Sequence, residues 1–250
     1  MKSESELIFG LHALEAALKY QAKDIQEIWL DSHRRDERIS KILKLAKSNN
    51  IKIHQVTREY LQTHYSNMRH QGVVASVTPG QAGTETDLET ILAKADQPLL
   101  LILDGVQDPH NLGACLRSAD AAGVNAVIVP RDRAVGITAT VRKVASGAAE
   151  SIPLIQVTNL ARTLRELKES GVWLVGLAGE ATDNLYDSDL KGPLGIVMGA
   201  EGDGMRRLTK EHCDFLVNIP MAGTVESLNV SVATGVCLFE VVRQRALASC

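Results

Sequence analysis

Hydrophobic positions divide the second half of the chain into short continuous runs and longer stretches with helical spacing. Continuous apolar runs bounded by polar turns are typical of buried strands. There are six of them: Leu99–Gly105, Ala126–Pro130, Pro153–Val157, Val172–Leu177, Leu194–Ala200 and Phe215–Pro220. Helical spacing lies between most of these runs, for instance over 111–123 and 159–171, each ending in a glycine suited to a helix C-terminus. This alternation predicts an α/β fold with a mostly parallel sheet covered on both faces.

The first part of the chain has a separate pattern. Three segments are helical in spacing: about Leu11 to Lys19, about Glu37 to Ser48, and a short one near Tyr60. Three strand-like runs alternate with them: Ile25–Leu30, Ile51–Val56 and Gly72–Val77. Together they predict a small α/β unit.

Residues Thr78–Asp87, rich in glycine, threonine and acidic residues, show no apolar periodicity and predict a linker. We therefore expect three segments: an N-terminal domain over 1–78, a linker over 79–97 and a second domain over 98–250.

Composition is that of an ordinary globular protein, with 45% hydrophobic and 23% charged residues in a chain of 250. No apolar run approaches the roughly 18 residues of a membrane span, and the N-terminal MKSESELIFG lacks the apolar core of a signal peptide. These features predict a cytoplasmic protein. The four cysteines show no CxxC pairing, so we expect neither disulfides nor a metal site.

Charge is unevenly distributed. Residues 1–78 hold 12 Lys and Arg against 9 Asp and Glu, a balance of +3, so the net charge of -3 leaves -6 for the remainder. Five of the seven histidines also lie in the first part. A polyanionic partner contacted through the N-terminal part would explain this pattern, and so would chance imbalance on a solvated surface.

Ligands of parallel α/β sheets bind at the carboxyl ends of the strands, and three such ends carry unusual residues. After the first strand of the second part, Asn111 stands near the start of a helix, either as its N-cap or as a functional amide. Arg117, in the same helix among small residues, either extends to the surface or reaches an anion-binding site.

The second strand end is followed by closely spaced glycines, Gly199, Gly202 and Gly204, which let backbone approach a ligand. Their spacing is GxxGxG rather than the GxGxxG of dinucleotide folds, and no GxxxxGK[ST] occurs in the chain. Neither a nicotinamide nor a nucleoside triphosphate is favoured. Glu201, a carboxylate between these glycines, is a functional candidate.

The third strand end leads into ESLNVSVATG, residues 226–235, where a loop becomes the last helix. Three small polar residues, Ser227, Asn229 and Ser231, alternate here with apolar ones. Capping of the helix explains one of the three, but not all of them.

Three stretches resemble, in order, the motifs of the SpoU (TrmH-type) RNA ribose 2'-O-methyltransferases of the SPOUT superfamily. They are DPHNLGACLRSADAAG with Asn111 and Arg117, VMGAEGDGMRRL with Glu201, and IPMAGTVESLNVSVATG with Ser227, Asn229 and Ser231. The N-terminal stretches IFGLHALEAAL and HQGVVASV are similar to the start and end of the RNA-binding domain of these enzymes. The resemblance covers nearly the whole chain.

For the fold, the resemblance implies a C-terminal SPOUT domain with a deep trefoil knot and an N-terminal domain similar to ribosomal protein L30e. General topology rules make a knot very improbable, so hydrophobic periodicity alone predicts a plain doubly wound sheet. The resemblance also implies a homodimer whose active site is completed across the interface. The apolar face of GVCLFEVVRQRALA could form part of that contact or could pack on its own sheet.

For the chemistry, the resemblance implies S-adenosylmethionine as methyl donor, held by backbone and apolar contacts. The residues implied are Ala178, Gly179, Gly199, Ile219, Met221 and Leu228. It assigns activation of the ribose hydroxyl to Arg117, as a base or as a cation that stabilises the developing alkoxide. Asn111 and Glu201 would then position groups around it, and Ser227, Asn229 and Ser231 would hydrogen-bond the RNA.

The substrate implied by the resemblance is a guanosine of 23S rRNA. Two alternatives stay open: a tRNA guanosine 2'-O-methyltransferase, and a non-catalytic rRNA-binding assembly factor with the same fold. The N-terminal domain favours rRNA, because tRNA-modifying relatives typically lack it.

Overall fold

The structure, a computed structural model, describes residues 5–66, 70–78 and 82–248. These form two compact units. The first comprises the described residues of Met1–Gln81 and Ile137–Ser151, and the second those of Ala82–Gly136 and Ile152–Cys250. This division differs from the domains expected from the sequence, because Ile137–Ser151 belongs to the first unit.

The first unit contains a four-stranded sheet with helices beside it. Its elements are β1 (Glu6–Phe9), α1 (Leu11–Tyr20), β2 (Ile25–Asp31), α2 (Glu37–Ser48), β3 (Lys52–Val56), α3 (Arg58–His64), β4 (Val73–Val77), α6 (Ala139–Ala145) and α7 (Ala148–Ser151). The strand order is β1-β4-β2-β3, with β2 and β3 parallel and the other pairs antiparallel. Aliphatic side chains of α1, α2 and the sheet form the core, among them Leu14, Ile28 and Ile42.

Arg142, part of a buried ion pair, connects residues 137–151 to this unit, because its Nε lies 3.4 Å from Glu6 Oε2 on β1. Arg142 Nη1 donates to Glu150 Oε1 across 2.6 Å, and both side chains are almost fully buried. Helix α7 packs against α1, where a Cβ on Gly147 would lie 2.9 Å from the Cβ of Ala16. The hydrophobic pattern of the second half carries no sign of this partner, because the contact depends on the N-terminal helix.

The second unit is built on a seven-stranded sheet whose paired strands all run parallel. Its elements are α4 (Glu85–Lys94), β5 (Leu99–Asp104), α5 (Pro109–Ala121), β6 (Ala126–Pro130), β7 (Leu154–Val157), α8 (Leu160–Glu169), β8 (Trp173–Leu177), β9 (Asp183–Asn184), β10 (Leu194–Gly199), α9 (Arg207–His212), β11 (Phe215–Asn218) and α10 (Val230–Ala248). The mostly parallel α/β fold predicted from hydrophobic periodicity is confirmed.

Part of the expected linker over 79–97 is helical. Helix α4 begins with a capping box in which Thr84 N donates to Asp87 Oδ2 across 2.7 Å. It packs against β7, with Leu88 buried, and Gly83 pairs with Ile155. The polar composition misled the prediction because a helix that buries a single leucine shows little apolar periodicity.

Strand order determines where the loops meet. Across the sheet the strands lie in the order β7-β6-β5-β10-β8-β11-β9. The direction in which successive strands are added therefore reverses between β5 and β10. Asp104, the last residue of β5, pairs in register with Gly199, the last residue of β10. The loops that carry the first two motifs therefore leave the sheet side by side, at the point where such sheets bind ligands.

Candidate functional site

Asn111 lies in the first turn of α5 and is not its N-cap. The cap is Asp108, whose Oδ1 accepts from the backbone N of His110 across 2.9 Å, and Pro109 occupies the first helical position. The side chain of Asn111 is therefore free for another partner. It is 7% exposed, and its Oδ1 accepts a hydrogen bond of 3.0 Å from Asn229.

Asn229 connects all three motifs. Its Nδ2 donates to Asn111 Oδ1 and also to Glu201 Oε1. Its Oδ1 accepts from the backbone N of Ser231 at 2.9 Å and from Ser231 Oγ at 2.6 Å. The side-chain oxygen thus caps α10, while the side-chain nitrogen holds the loops after β5 and β10 together. We call these four residues, Asn111, Glu201, Asn229 and Ser231, the amide cluster.

The loop that carries Glu201 folds back on its own strand. Ala200 and Gly204 exchange two backbone hydrogen bonds of 3.1 and 3.0 Å. A Cβ on Gly199 would lie 2.1 Å from the carbonyl carbon of Gly204 and 2.2 Å from the N of Met205. Gly199 is therefore required for loop closure, a role beyond the cofactor contact expected from the sequence.

Asp104 holds the far end of this loop. Its side chain is fully buried and accepts from the backbone N of Arg206 at 3.0 Å and from Arg206 Nε at 2.7 Å. Sequence reasoning missed Asp104, although a carboxylate ending the apolar run LLLILD was a usable signal, because buried charges need partners. Arg206 thereby fixes the loop.

A cleft of about 510 Å³ lies between the loops that follow β8, β10 and β11. All six residues expected to bind the cofactor line it: Ala178, Gly179, Gly199, Ile219, Met221 and Leu228. Its volume falls within the range of small-molecule sites. Met198, Val230 and Ala233 supply buried apolar surface.

The cleft carries an excess of negative charge. Four carboxylates line it, those of Glu180, Glu201, Asp203 and Glu226, against the single ammonium group of Lys210. Lys210 donates to Glu180 and lowers the pKa of that carboxyl. The remaining carboxylates favour a ligand that carries positive charge.

A second cavity, of about 450 Å³, shares the Glu201 loop with the cleft. Asn111, Asp108, Arg133 and Arg206 contribute to its lining. The amide cluster therefore lies between two recesses: the cleft, lined by backbone, apolar groups and carboxylates, and a charged recess that carries both arginines and carboxylates.

Two predicted site residues stand apart from the amide cluster. Arg117 is exposed on α5, and no hydrogen bond or ion pair to another described residue involves it. Six residues separate it from Asn111, which places it about 120° around the helix and about 9 Å along its axis. Ser227 lines the cleft, but its side chain has no hydrogen bond among the described residues.

Three cysteines are free thiols in the second unit. Cys115 on α5 lies 3.6 Å from the hydroxyl of Thr234 on α10, where the two helices pack. Burial raises the pKa of Cys115 to about 11 and that of Cys237 to about 12. Among the described residues, no helix is sufficiently long and apolar to span a membrane, and no cluster of His, Cys, Asp and Glu could bind a metal ion.

Two family models match the chain. Residues 98–239 match the SpoU rRNA Methylase family, and residues 7–82 match the RNA 2'-O ribose methyltransferase substrate-binding family. The first match spans more than half of the chain and contains both recesses and the amide cluster.

Curated relatives and solved structures agree with these models. The 23S rRNA (guanosine-2'-O-)-methyltransferases RlmB of Shewanella oneidensis and Escherichia coli K12 are 59% and 57% identical, over 97% of this chain and 98% and 100% of theirs. The SpoU methyltransferase AviRb from Streptomyces viridochromogenes, solved with AdoMet, has a TM-score of 0.78 at 23% identity, over 97% of this chain and 91% of that one. The chain belongs to the SpoU rRNA methylase family.

Proposed function

We propose that the protein transfers the methyl group of S-adenosylmethionine to the ribose 2'-hydroxyl of a guanosine in 23S rRNA, in the cytoplasm. The observation that carries this proposal is the position of Asn229, which connects Asn111 and Glu201 beside a donor-sized cleft. The choice of 23S rRNA as substrate rests on the RlmB relatives, which are similar to this chain over nearly their whole length.

The cleft fits the methyl donor. S-adenosylmethionine carries a sulfonium cation, which suits the excess of carboxylates. Backbone groups of Gly179 and Gly199 would hydrogen-bond its polar ends, and Ile219, Met221 and Leu228 would contact its apolar parts. When bound there, the donor supplies a methyl group that is already activated for displacement by an oxygen nucleophile.

The residues of the chain then have two tasks. They must align the ribose hydroxyl with the methyl group, and they must stabilise negative charge as that hydroxyl loses its proton to solvent water. Asn111, on the border of the charged recess, is suited to hold a ribose or phosphate oxygen while Asn229 fixes its amide. Ser227 would donate to the same RNA segment, and Ser231, whose hydroxyl donates to Asn229, would accept from it.

Arg117 is proposed as the cation that stabilises the developing alkoxide and the adjacent phosphate. An arginine guanidinium group keeps its proton in proteins, so electrostatic stabilisation is preferred over proton abstraction. Its exposure on α5, away from the amide cluster of its own chain, leads to a second proposal: Arg117 serves the site of a partner subunit.

A homodimer would form through the surface of α10. Three apolar side chains, Val232, Phe239 and Leu247, are 51%, 49% and 65% exposed on this helix at spacings of seven and eight. Helix α10 packs beside α5, which carries Arg117. Burial of this apolar stripe against a second copy would remove it from water and bring Arg117 towards the partner's amide cluster.

Two features of the fold are also proposed. The first is a deep trefoil knot, in which α10 threads the loops after β10 and β11. Two observations support the knot. Both loops line the cleft together with the residues just before α10, and α10 packs on β10. The second is the similarity of the first unit to ribosomal protein L30e, which is supported by the N-terminal motifs. A threaded α10 predicts slow refolding from urea, measurable by stopped-flow and manual mixing.

The activity is tested by incubating the purified protein with labelled donor and three substrates: deproteinised 23S rRNA, ribosomal particles and tRNA. We expect label on a single guanosine ribose of 23S rRNA, mapped by fragmentation. Arg117→Ala should abolish transfer while donor binding, measured by calorimetry, is retained. Transfer to tRNA alone would support the tRNA enzyme, and RNA binding without donor uptake would support an assembly factor.

The shared site is tested by complementation. Arg117→Ala and Asn229→Ala are each expected to be inactive alone. Co-expressed, they should regain part of the wild-type activity, because one site of the mixed dimer then combines an intact Arg117 with an intact Asn229. If both residues act within one protomer, the mixed protein stays inactive.

A further inference from the structure

Five aromatic rings form a continuous row in the first unit, outside its hydrophobic core. Trp29 on β2 stacks on His54 of β3, with ring centres 5.5 Å apart and planes 13° apart. Tyr65, just after α3, lies 5.9 Å from Trp29 and 6.5 Å from His64. His64 in turn stacks on Tyr60 at 3.9 Å. We call these five residues the ring row.

The ring row is not needed to fill the core. The buried core of this unit consists of aliphatic residues of α1, α2 and the other sheet face. Tyr60 is 36% exposed, His64 is exposed, and Trp29, His54 and Tyr65 are half-buried. The chain has only nine Phe, Trp and Tyr residues, so placing three of them in one exposed row indicates a binding surface.

Two basic side chains lie beside the ring row. Arg58 on α3 is exposed and has no hydrogen bond or ion pair among the described residues. Lys52 is 70% exposed beside His54, and the carboxylate between them, that of Glu27, accepts from His54 Nε2 across 2.7 Å. Glu27 and Glu59, the latter exposed on α3, are the opposing charges.

A recess on the other side of α3 adds a second arginine. It has a volume of about 730 Å³, and Arg58, Arg34, His33 and His70 line it together with Asp31. Asp31 is engaged by the backbone N of His33 at 3.0 Å. Arginine and histidine side chains around such a recess can bind phosphate oxygens.

We propose that the first unit binds an unpaired segment of the substrate RNA by stacking a base on the ring row, with the adjoining phosphates held by Arg58 and the cationic recess. Unpaired bases are recognised by stacking on aromatic side chains, whereas double-stranded RNA keeps its bases stacked and out of reach. The inference rests on the proposed function for the nature of the RNA, but not for the stacking itself.

Trp29 provides a direct measurement. The chain has two tryptophans, so Trp173→Phe leaves Trp29 as the single emitter. In this full-length variant, short oligouridylate should quench or shift the emission of Trp29, and the same strand annealed to oligoadenylate should not. Tyr60→Ala and His64→Ala should each weaken oligouridylate binding by roughly 10-fold. Tyr60→Phe, which keeps the ring, should retain the wild-type affinity.

Tyr20→Ala is the matched control, since Tyr20 is a tyrosine of the same unit that is more exposed than Tyr60, at 63%, and lies outside the ring row. It should leave affinity unchanged. The proposal is overturned if the single strand and the duplex bind alike with no change at Trp29, or if Tyr60→Ala binds as tightly as Tyr20→Ala. It is also overturned if Tyr60→Ala changes only the sedimentation of the protein, since the row would then join two copies.

Methyl transfer to 23S rRNA is measured in parallel on the same preparations. Transfer without any response of Trp29 would defeat the stacking inference and leave the proposed function intact. A response of Trp29 without transfer to any RNA would support the stacking inference and contradict the proposed function.

Discussion

Asn229 Nδ2 donates a hydrogen bond of 3.0 Å to Asn111 Oδ1, across 118 positions of the chain. The same nitrogen donates to Glu201, so one amide group connects loops from three strands. This arrangement requires a donor at position 229 and an acceptor at position 111, which leads to a first prediction.

Asn229→Asp keeps the shape of the side chain but removes its donor and places a carboxylate against Glu201. We expect methyl transfer to fall by at least about 100-fold, because the groups facing the reacting atoms lose their positions. Single-turnover kinetics with labelled donor measures this. Thr224→Ala, in the same exposed loop, is the control and should keep wild-type activity. An active Asn229→Asp protein would show that the hydrogen-bond donor at position 229 is dispensable.

Gly199→Ala should damage donor binding. The added Cβ would overlap the backbone of Gly204 and Met205, so the loop that borders the cleft must move. We expect the donor affinity, measured by calorimetry, to fall by about 10-fold or more. At Gly223 a Cβ would meet nothing within 4 Å, so Gly223→Ala should bind the donor normally. Equal affinities of the two variants would contradict the packing role of Gly199.

The contribution of the Asp104–Arg206 contact to stability can be tested by comparing variants of two adjacent arginines. Arg206→Met leaves the buried carboxylate of Asp104 without its side-chain donors, and should lower the free energy of unfolding by about 2 kcal/mol. Arg207→Met removes only an exposed pair with Glu211 and should cost less than about 0.5 kcal/mol. Urea unfolding compares them. A similar loss of unfolding free energy in the two variants would mean that the contact of Arg206 with Asp104 does not stabilise the fold.

Glu15 should contribute stability only above acidic pH. Its Oε1 lies 2.7 Å from Lys41 Nζ and 2.9 Å from Lys19 Nζ, and hydrogen bonds from Lys41 and then Lys19 lower the pKa of this carboxyl. A lowered folded-state pKa gives stability that is present above the unfolded-state pKa and is lost as pH falls through the folded value.

Glu15→Gln should therefore be less stable than wild type by about 0.5–1 kcal/mol at neutral pH, with the difference shrinking at acidic pH, below the ordinary glutamate pKa. Thermal unfolding at both pH values measures this. Glu59→Gln, an exposed carboxamide variant of the same unit, should match wild type throughout. A difference that persists at low pH would assign the effect of Glu15→Gln to packing.

Hydrophobic periodicity predicted most elements of the second unit. Ala126–Pro130 is a strand with the expected limits, and the helices before Gly123 and Gly171 end where positive φ values of 73° and 84° favour glycine. Short and edge elements were missed, among them β1 and β9, because two to four residues carry too little periodicity to be recognised.

Candidate site residues were identified by residue type and position after strands, and the cleft contains all six that were expected at the cofactor. What could not be foreseen was the partner of each side chain. The sequence left undecided whether Asn111 is the N-cap of its helix, because Asp108 was not recognised in that role. Asp104 was overlooked because it ends an apolar run.

Local patterns in the sequence predicted most of the strands and helices and the loops that carry chemistry, because these depend on contacts and periodicities between near neighbours in the chain. Long-range packing brings Asn229 to Asn111 and Glu201, joins Arg206 to Asp104, and places residues 137–151 in the first unit. These contacts follow from β5 and β10 being neighbours in the sheet and from α7 packing on α1. The pairing of distant segments depends on the packing of the whole domain, which local hydrophobic patterns do not encode.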